Sequence, residues 1–260
     1  RSPVPARQGG PWVKTLPLLY DEYVDGECDR CPRLVESRTS VVFGEGDVDA
    51  DLMIVGEGPG RIEDELCRTF VGSAGLLLDT FLTYFARPEE EWLHRMGRRL
   101  SSGYQPPGDE SDDIRDALIS SEKVFYANAV MCRPPENVDP TAGEINNCSE
   151  RLQQMIYNID PLLILAVGKV ASRAVLGKSL AITKDRGQVF DVEIPGITGG
   201  IRYPLLVTLH PAYVARVGNY VSPTGAGQKF AQDLEKAFSL LDEARLLSRG
   251  EAIPKRRRWK

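Results

Sequence analysis

The strongest constraint on this chain is a set of four short apolar segments, each running directly into a chemically distinctive loop. They are Asp51–Val55, Val124–Val130, Leu162–Val167 and Leu205–Leu209. The third is apolar throughout and the others nearly so, the pattern of parallel strands covered on both sides. Helical patterns lie between them. Ala74–Phe85 is one, and Thr141–Asn158 is another, opened by a Thr141-x-x-Glu144 capping box. Val170–Leu176 stops at Gly177, and Gln228–Leu247 forms a long last helix. Strands alternating with helices imply an α/β fold, read as a three-layer α/β/α sandwich around a central four-stranded parallel sheet.

Such sheets bind ligands beyond the carboxyl ends of their strands. Here those ends carry Gly56-Glu57-Gly58-Pro59-Gly60, Met131-Cys132-Arg133-Pro134-Pro135, Gly168-Lys169 and His210-Pro211, with Asn128 close to its own strand end. This convergence points to a site without reference to any family. Residues 87–121 read as an insertion, a helix plus a loop outside the sheet, and 187–203 as a hairpin. The expected division is an extension at 1–19, one domain over 20–248 and a basic tail over 249–260.

Among 260 residues the formal net charge is −5, so any nucleic-acid contact must use locally concentrated Lys and Arg. The tail Lys255-Arg256-Arg257-Arg258-Trp259-Lys260 is basic and reads equally as a solvated end or a DNA contact. No run of about 18 apolar residues occurs, so no membrane span is expected. The first residues do not read as a signal peptide, and a soluble, cytoplasmic monomer is expected.

Five cysteines in such a chain suggest a metal site with one thiol left over. Cys28-x-x-Cys31, Cys132 and Cys148 can supply four thiolates to zinc or to an iron–sulfur cluster, and spacing alone does not choose between them. The prolines at Pro32 and Pro134-Pro135 stiffen the ligand loops and favour the cluster. Cys67 reads as a small buried apolar residue.

The loop Gly56–Gly60 is neither a dinucleotide fingerprint nor a P-loop, but its glycines let backbone amides approach a ligand. Glu57, Glu63 and Asp64 beside it suit activation of a water or recognition of a polar base edge rather than phosphate. The alternative for Glu63 and Asp64 is charge at a helix N-terminus. Phe70 is either core or a stacking platform. Of the two histidines, His94 falls in the insertion and reads as surface, whereas His210 shares the strand-end rim with the other motifs. No serine sits at a nucleophile elbow.

Taken together, Gly56-Glu57-Gly58-Pro59-Gly60-x-x-Glu63-Asp64, Phe70-Val71-Gly72-x-Ala74-Gly75, Asn128-x-x-x-Cys132-Arg133-Pro134-Pro135 and His210-Pro211-x-Tyr213-x-x-Arg216 resemble the family 4 (thermostable-type, iron–sulfur) uracil-DNA glycosylases. The resemblance covers roughly residues 20–86 and 122–240. It implies a [4Fe–4S] cluster, zinc being the alternative, on Cys28, Cys31, Cys132 and Cys148. It implies excision of uracil from single- or double-stranded DNA by base flipping, the first step of base excision repair. In that reading the Glu57–Gly60 loop borders the flipped base and helps to place water, Phe70 stacks, Asn128 reads the polar edge and His210 donates to the departing anion. Glu63 and Asp64 would assist, and Pro211, Tyr213 and Arg216 would press into the DNA.

The chain also departs from the pattern. Cys67 stands where glycine is usual, Met131 replaces a basic residue, and Ala215 stands where leucine is common. Alternative readings are a glycosylase of another modified base, a non-catalytic iron–sulfur nucleic-acid-binding module, and a redox protein. Retention of Glu57, Asn128 and His210 speaks against the binding module.

Overall fold

The computed structural model describes residues 20–25, 28–86, 108–196, 199–218 and 224–250. His94, the extension at 1–19, most of the insertion and nearly all of the basic tail lie outside them. Six strands form one sheet: β1 (Glu45–Gly46), β2 (Leu52–Gly56), β3 (Val124–Asn128), β4 (Leu163–Val167), β5 (Val189–Gly196) and β6 (Gly199–Thr208), in the order β1-β3-β2-β4-β6-β5. The pairs β3–β2, β2–β4 and β4–β6 are parallel, while β1 and β5 pair antiparallel at the two edges.

The sheet is therefore mixed and six-stranded: the four expected strands run parallel in its centre, and two antiparallel edge strands are added to them. The extra strands escape a search for apolar runs for a physical reason. In β5 buried Val192 and Ile194 alternate with exposed or half-exposed residues, and its charged positions mask a strand. It is one arm of the expected hairpin, and the other arm continues without interruption into the apolar run of β6.

Alternation along the central strands divides the interior into two cores. Met53 and Val55 of β2, Phe125 and Ala127 of β3, and Ile164 and Ala166 of β4 enter one core. There they meet α1 (Pro32–Ser37), α5 (Ala142–Ile159) and α6 (Lys169–Leu176). Leu52 and Ile54, Val124 and Tyr126, and Leu163 and Leu165 enter the other. They pack on α3 (Ser73–Ala86), α4 (Gly108–Glu122), α8 (Pro211–Val217) and α9 (Ala226–Ser248). Each fully buried Leu, Ile or Phe contributes about 1.5–3 kcal/mol, so both layers are held chiefly by apolar contact.

Two further short α-helices among the described residues are α2 (Arg61–Leu66) and α7 (Ile182–Asp185). The helix ends follow local chemistry. Thr141 Oγ1 accepts from the Glu144 amide while the Glu144 carboxylate accepts from the Thr141 amide, the reciprocal capping box. Gly177 closes α6 at φ +70°. No helix among the described residues is long and apolar enough to cross a membrane.

Candidate active site at the strand ends

A cleft of about 540 Å³ opens at the carboxyl ends of the parallel strands. Its lining includes Glu57, Gly58, Pro59, Gly60, Glu63, Phe70, Asn128, His210, Pro211, Tyr213 and Arg216, eleven of the twelve catalytic and substrate-contact residues expected from sequence. The parallel register sets Gly56 opposite Asn128. A Cβ at Gly56 would fall 2.5 Å from Asn128 Oδ1 and 2.5 Å from Phe70 Cζ, so the amide and the ring converge above this glycine. Any side chain at position 56 would displace both.

Asn128 is buried at 3% exposure and lines the cleft. Phe70 is 9% exposed and holds a left-handed backbone (φ +55°), a conformation an L-residue adopts only where its surroundings impose it.

His210 caps the N-terminus of α8. Its Nδ1 accepts from the Ala212 amide at 3.1 Å, which leaves the proton of the neutral ring on Nε2. Burial, reinforced by the Arg216 guanidinium and opposed by Asp139, pushes its pKa down to about 4. The ring is thus a neutral donor at physiological pH. Gly168 (φ +96°) makes room for it, since a Cβ there would stand 3.0 Å from His210 Cβ and Cδ2.

Burial pushes the Glu57 carboxyl up to about 7, with Asp139 adding to the shift and Lys169 opposing it. Near neutrality this group can exchange a proton. Asp139 and Asn137 also line the cleft and were not singled out from sequence. The only signal for them was their place in the loop leaving β3. Glu63 has another employment. Its Oε1 accepts the Gly72 amide at 2.8 Å, tying α2 to the turn before α3.

Asp64 does not line the cleft. It is 1% exposed, and its carboxylate accepts the Thr39 amide at 2.8 and 2.9 Å and the Ser40 amide at 3.0 Å. It therefore organises the loop before β1. Cys67 is exposed, not buried, and ends α2 at φ +53° with its thiol directed to the Val41 carbonyl. A left-handed helix-ending position turns the side chain outward, and sequence composition carries no trace of that geometry.

The other four cysteines form no disulfide. Cys31, Cys132 and Cys148 are buried and Cys28 half-buried. Burial pushes Cys132 up to about 11 and raises Cys31, and in both the Cys148 and Cys28 thiols add to the shift. Arg38 Nη1 donates to Cys132 Sγ at 3.2 Å and to the Cys28 carbonyl at 2.7 Å, and Asn147 Nδ2 donates to Cys31 Sγ at 3.4 Å. Among the described residues no three His, Cys, Asp or Glu side chains are placed to hold a single metal ion.

Arg151 is fully buried, close enough to the Cys148 and Cys132 thiols to interact with them. It donates to the Asn128 carbonyl at 2.7 Å and to Met155 Sδ at 3.1 Å, while its Nε has no acceptor.

A family model for the uracil DNA glycosylase superfamily matches residues 43–237. A type-4 uracil-DNA glycosylase of Thermotoga maritima is 36% identical over 191 residues, covering 73% of this chain and 79% of that protein. One from Pyrobaculum aerophilum is 35% identical over 211 residues, covering 81% and 88%. A type-5 uracil-DNA glycosylase of Pyrobaculum aerophilum is 31% identical over 175 residues, covering 60% and 69%. The match spans the sheet, the cleft and, of the four cysteines, Cys132 and Cys148, and the chain belongs to the uracil DNA glycosylase superfamily.

Proposed function

We propose that the protein is a uracil-DNA glycosylase of the type-4 kind, hydrolysing the N-glycosidic bond of uracil flipped out of single- or double-stranded DNA. The observation that carries this reading is the convergence of a neutral His210, a buried Asn128 amide and the Phe70 ring on one cleft.

The chemistry follows from what these groups offer. As the C1′–N1 bond breaks, its electron pair stays with the base and positive charge builds on the sugar. His210 Nε2–H donates to a carbonyl oxygen of the leaving base, where negative charge grows. A donor aimed at developing charge contributes about 10²–10³ in rate. Asn128 can pair with both a donor and an acceptor on the polar edge of uracil. Phe70 stacks on the base and offsets part of the few kcal/mol that flipping costs. A water adds at C1′, and Glu57, in its ionised form, accepts the water's proton. Tyr213 and Arg216 stand exposed at the rim on α8, suited to the gap left by the flipped base and to a phosphate.

Cys28, Cys31, Cys132 and Cys148 would hold a [4Fe–4S] cluster. What supports that reading is that the Cys28 and Cys148 thiols lie close enough to Cys31 and Cys132 to raise the pKa of both. Arg38 and the orphaned Arg151 Nε supply positive charge to an anionic group of thiolates. Bound there, the cluster would cross-link the Cys28–Cys31 segment to the exit of β3 and to α5.

The test is the identity of the base released. The protein is incubated with oligonucleotides carrying one uracil, one thymine or one other modified base, and free bases are measured by mass spectrometry. Release of uracil supports the reading. Uracil left in place, with another base released, overturns the specificity.

A further inference from the structure

Phe70 is held from behind by a side chain outside the cleft. Arg115 lies on α4, within the segment that the sequence sets apart as an insertion, and is 2% exposed. Its Nη1 donates to the Thr69 carbonyl at 2.7 Å and its Nη2 to the Phe70 carbonyl at 2.6 Å. Its Nε donates to Asp79 Oδ2 at 2.7 Å, and Tyr126 Oη donates to Asp79 Oδ1 at 2.8 Å. The guanidinium lies 4.1 Å from the Tyr126 ring centroid, and that ring lies 5.6 Å from Phe70.

The carbonyls Arg115 grips belong to the residues at the left-handed turn of Phe70. The same carbonyl is met by the start of α3, where a Cβ on Gly75 would stand 1.7 Å from Phe70 O. A planar fork on two consecutive carbonyls fixes the peptide between them, which a single-point cation cannot do.

We propose that Arg115, with Asp79 as its counter-charge, is a positioning residue for base recognition: it holds the Phe70 backbone in its left-handed turn so that the ring is preset to stack on a flipped base. The inference rests on the stacking role given to Phe70 above. It assigns part of the recognition apparatus to a helix that contributes none of the described residues of the cleft lining.

The experiment is a double-mutant cycle read by two quantities, inhibition by free uracil and single-turnover excision from a uracil oligonucleotide. The proteins are the parent, Phe70→Ala, Arg115→Met and the double variant. Stacking is worth about 1–3 kcal/mol per base, so Phe70→Ala weakens uracil inhibition about tenfold. Arg115→Met weakens it several-fold in the parent and less than about twofold in the Phe70→Ala background. Equal factors in the two backgrounds would show that Arg115 acts through general stability and overturn the proposal. Parent-like inhibition and excision in Phe70→Ala would remove the stacking reading itself, and the proposal with it. Near-ultraviolet circular dichroism checks the fold. Should Arg115→Met fail to fold, Arg115→Lys carries the same test, because lysine can still pair with Asp79 but cannot span both carbonyls.

Discussion

The two cores of the sheet each bury one arginine, and the two are solved differently. Arg115 meets a carboxylate at 2.7 Å and two backbone carbonyls, and Asp79 is further satisfied by Tyr126. Arg151, in the other core, meets carbonyls and a thioether, keeps an orphaned Nε, and has no carboxylate partner among the described residues. A buried charge without a counter-charge costs several kcal/mol. Arg115 is thus paired within its own core, whereas Arg151 would gain its counter-charge from the thiolates of the proposed cluster.

The comparison breaks most visibly at Arg115. Arg115→Met leaves Asp79 buried without its partner and should destabilise the protein by about 3–5 kcal/mol in urea unfolding. Arg151→Met orphans no carboxylate. In protein stripped of iron by a chelator it should cost about 1–3 kcal/mol, the price of backbone acceptors left unmade. With the proposed cluster bound, the same substitution should cost more and speed the loss of visible cluster absorbance during chelation. A substitution cost that does not change with iron would remove Arg151 from any role toward the thiolates.

Between the cores, the cleft responds to pH through Glu57. Its carboxyl is pushed up to about 7, so it is protonated below that value and ionised above it. Single-turnover excision should therefore fall roughly tenfold per pH unit below 7 and level off above it, while Glu57→Gln is slow and flat. His210, pushed down to about 4, stays neutral throughout and contributes no inflection between pH 5 and 9. The smallest effect concerns Cys67, left-handed at the end of α2. Cys67→Gly should gain about 0.5–1 kcal/mol, since the strain of an L-residue there outweighs the extra chain entropy of glycine.

The legibility of the molecule follows the same division. The central strands and the cleft were readable because apolar runs ended in Gly56–Gly60, Asn128 and His210, residue types with few uses at a strand end. Of the edge strands, β5 was legible only as an arm of the 187–203 hairpin, since its apolar residues alternate with charge, and β1, two residues long, was not legible. Glu63 and Asp64 looked alike as acids beside a glycine loop. Only the fold turns one toward the Gly72 amide in the cleft and the other under Thr39 and Ser40. Arg115 was hidden among the charges of the insertion, for its value lies in contacts 36, 45 and 46 residues away. Asp139 carries no motif and acquires meaning only through its field on Glu57 and His210.

The most direct test of the cleft as a site of uracil excision compares the parent protein with His210→Ala. Both are given a single-turnover excess over a fluorescent oligonucleotide with one uracil opposite guanine, and alkali-labile abasic sites are counted with time at pH 8. Loss of the donor to the leaving base should slow the variant by about 10²–10³, with its circular dichroism unchanged. Equal rates in the two proteins would contradict the account and move the chemistry out of this cleft.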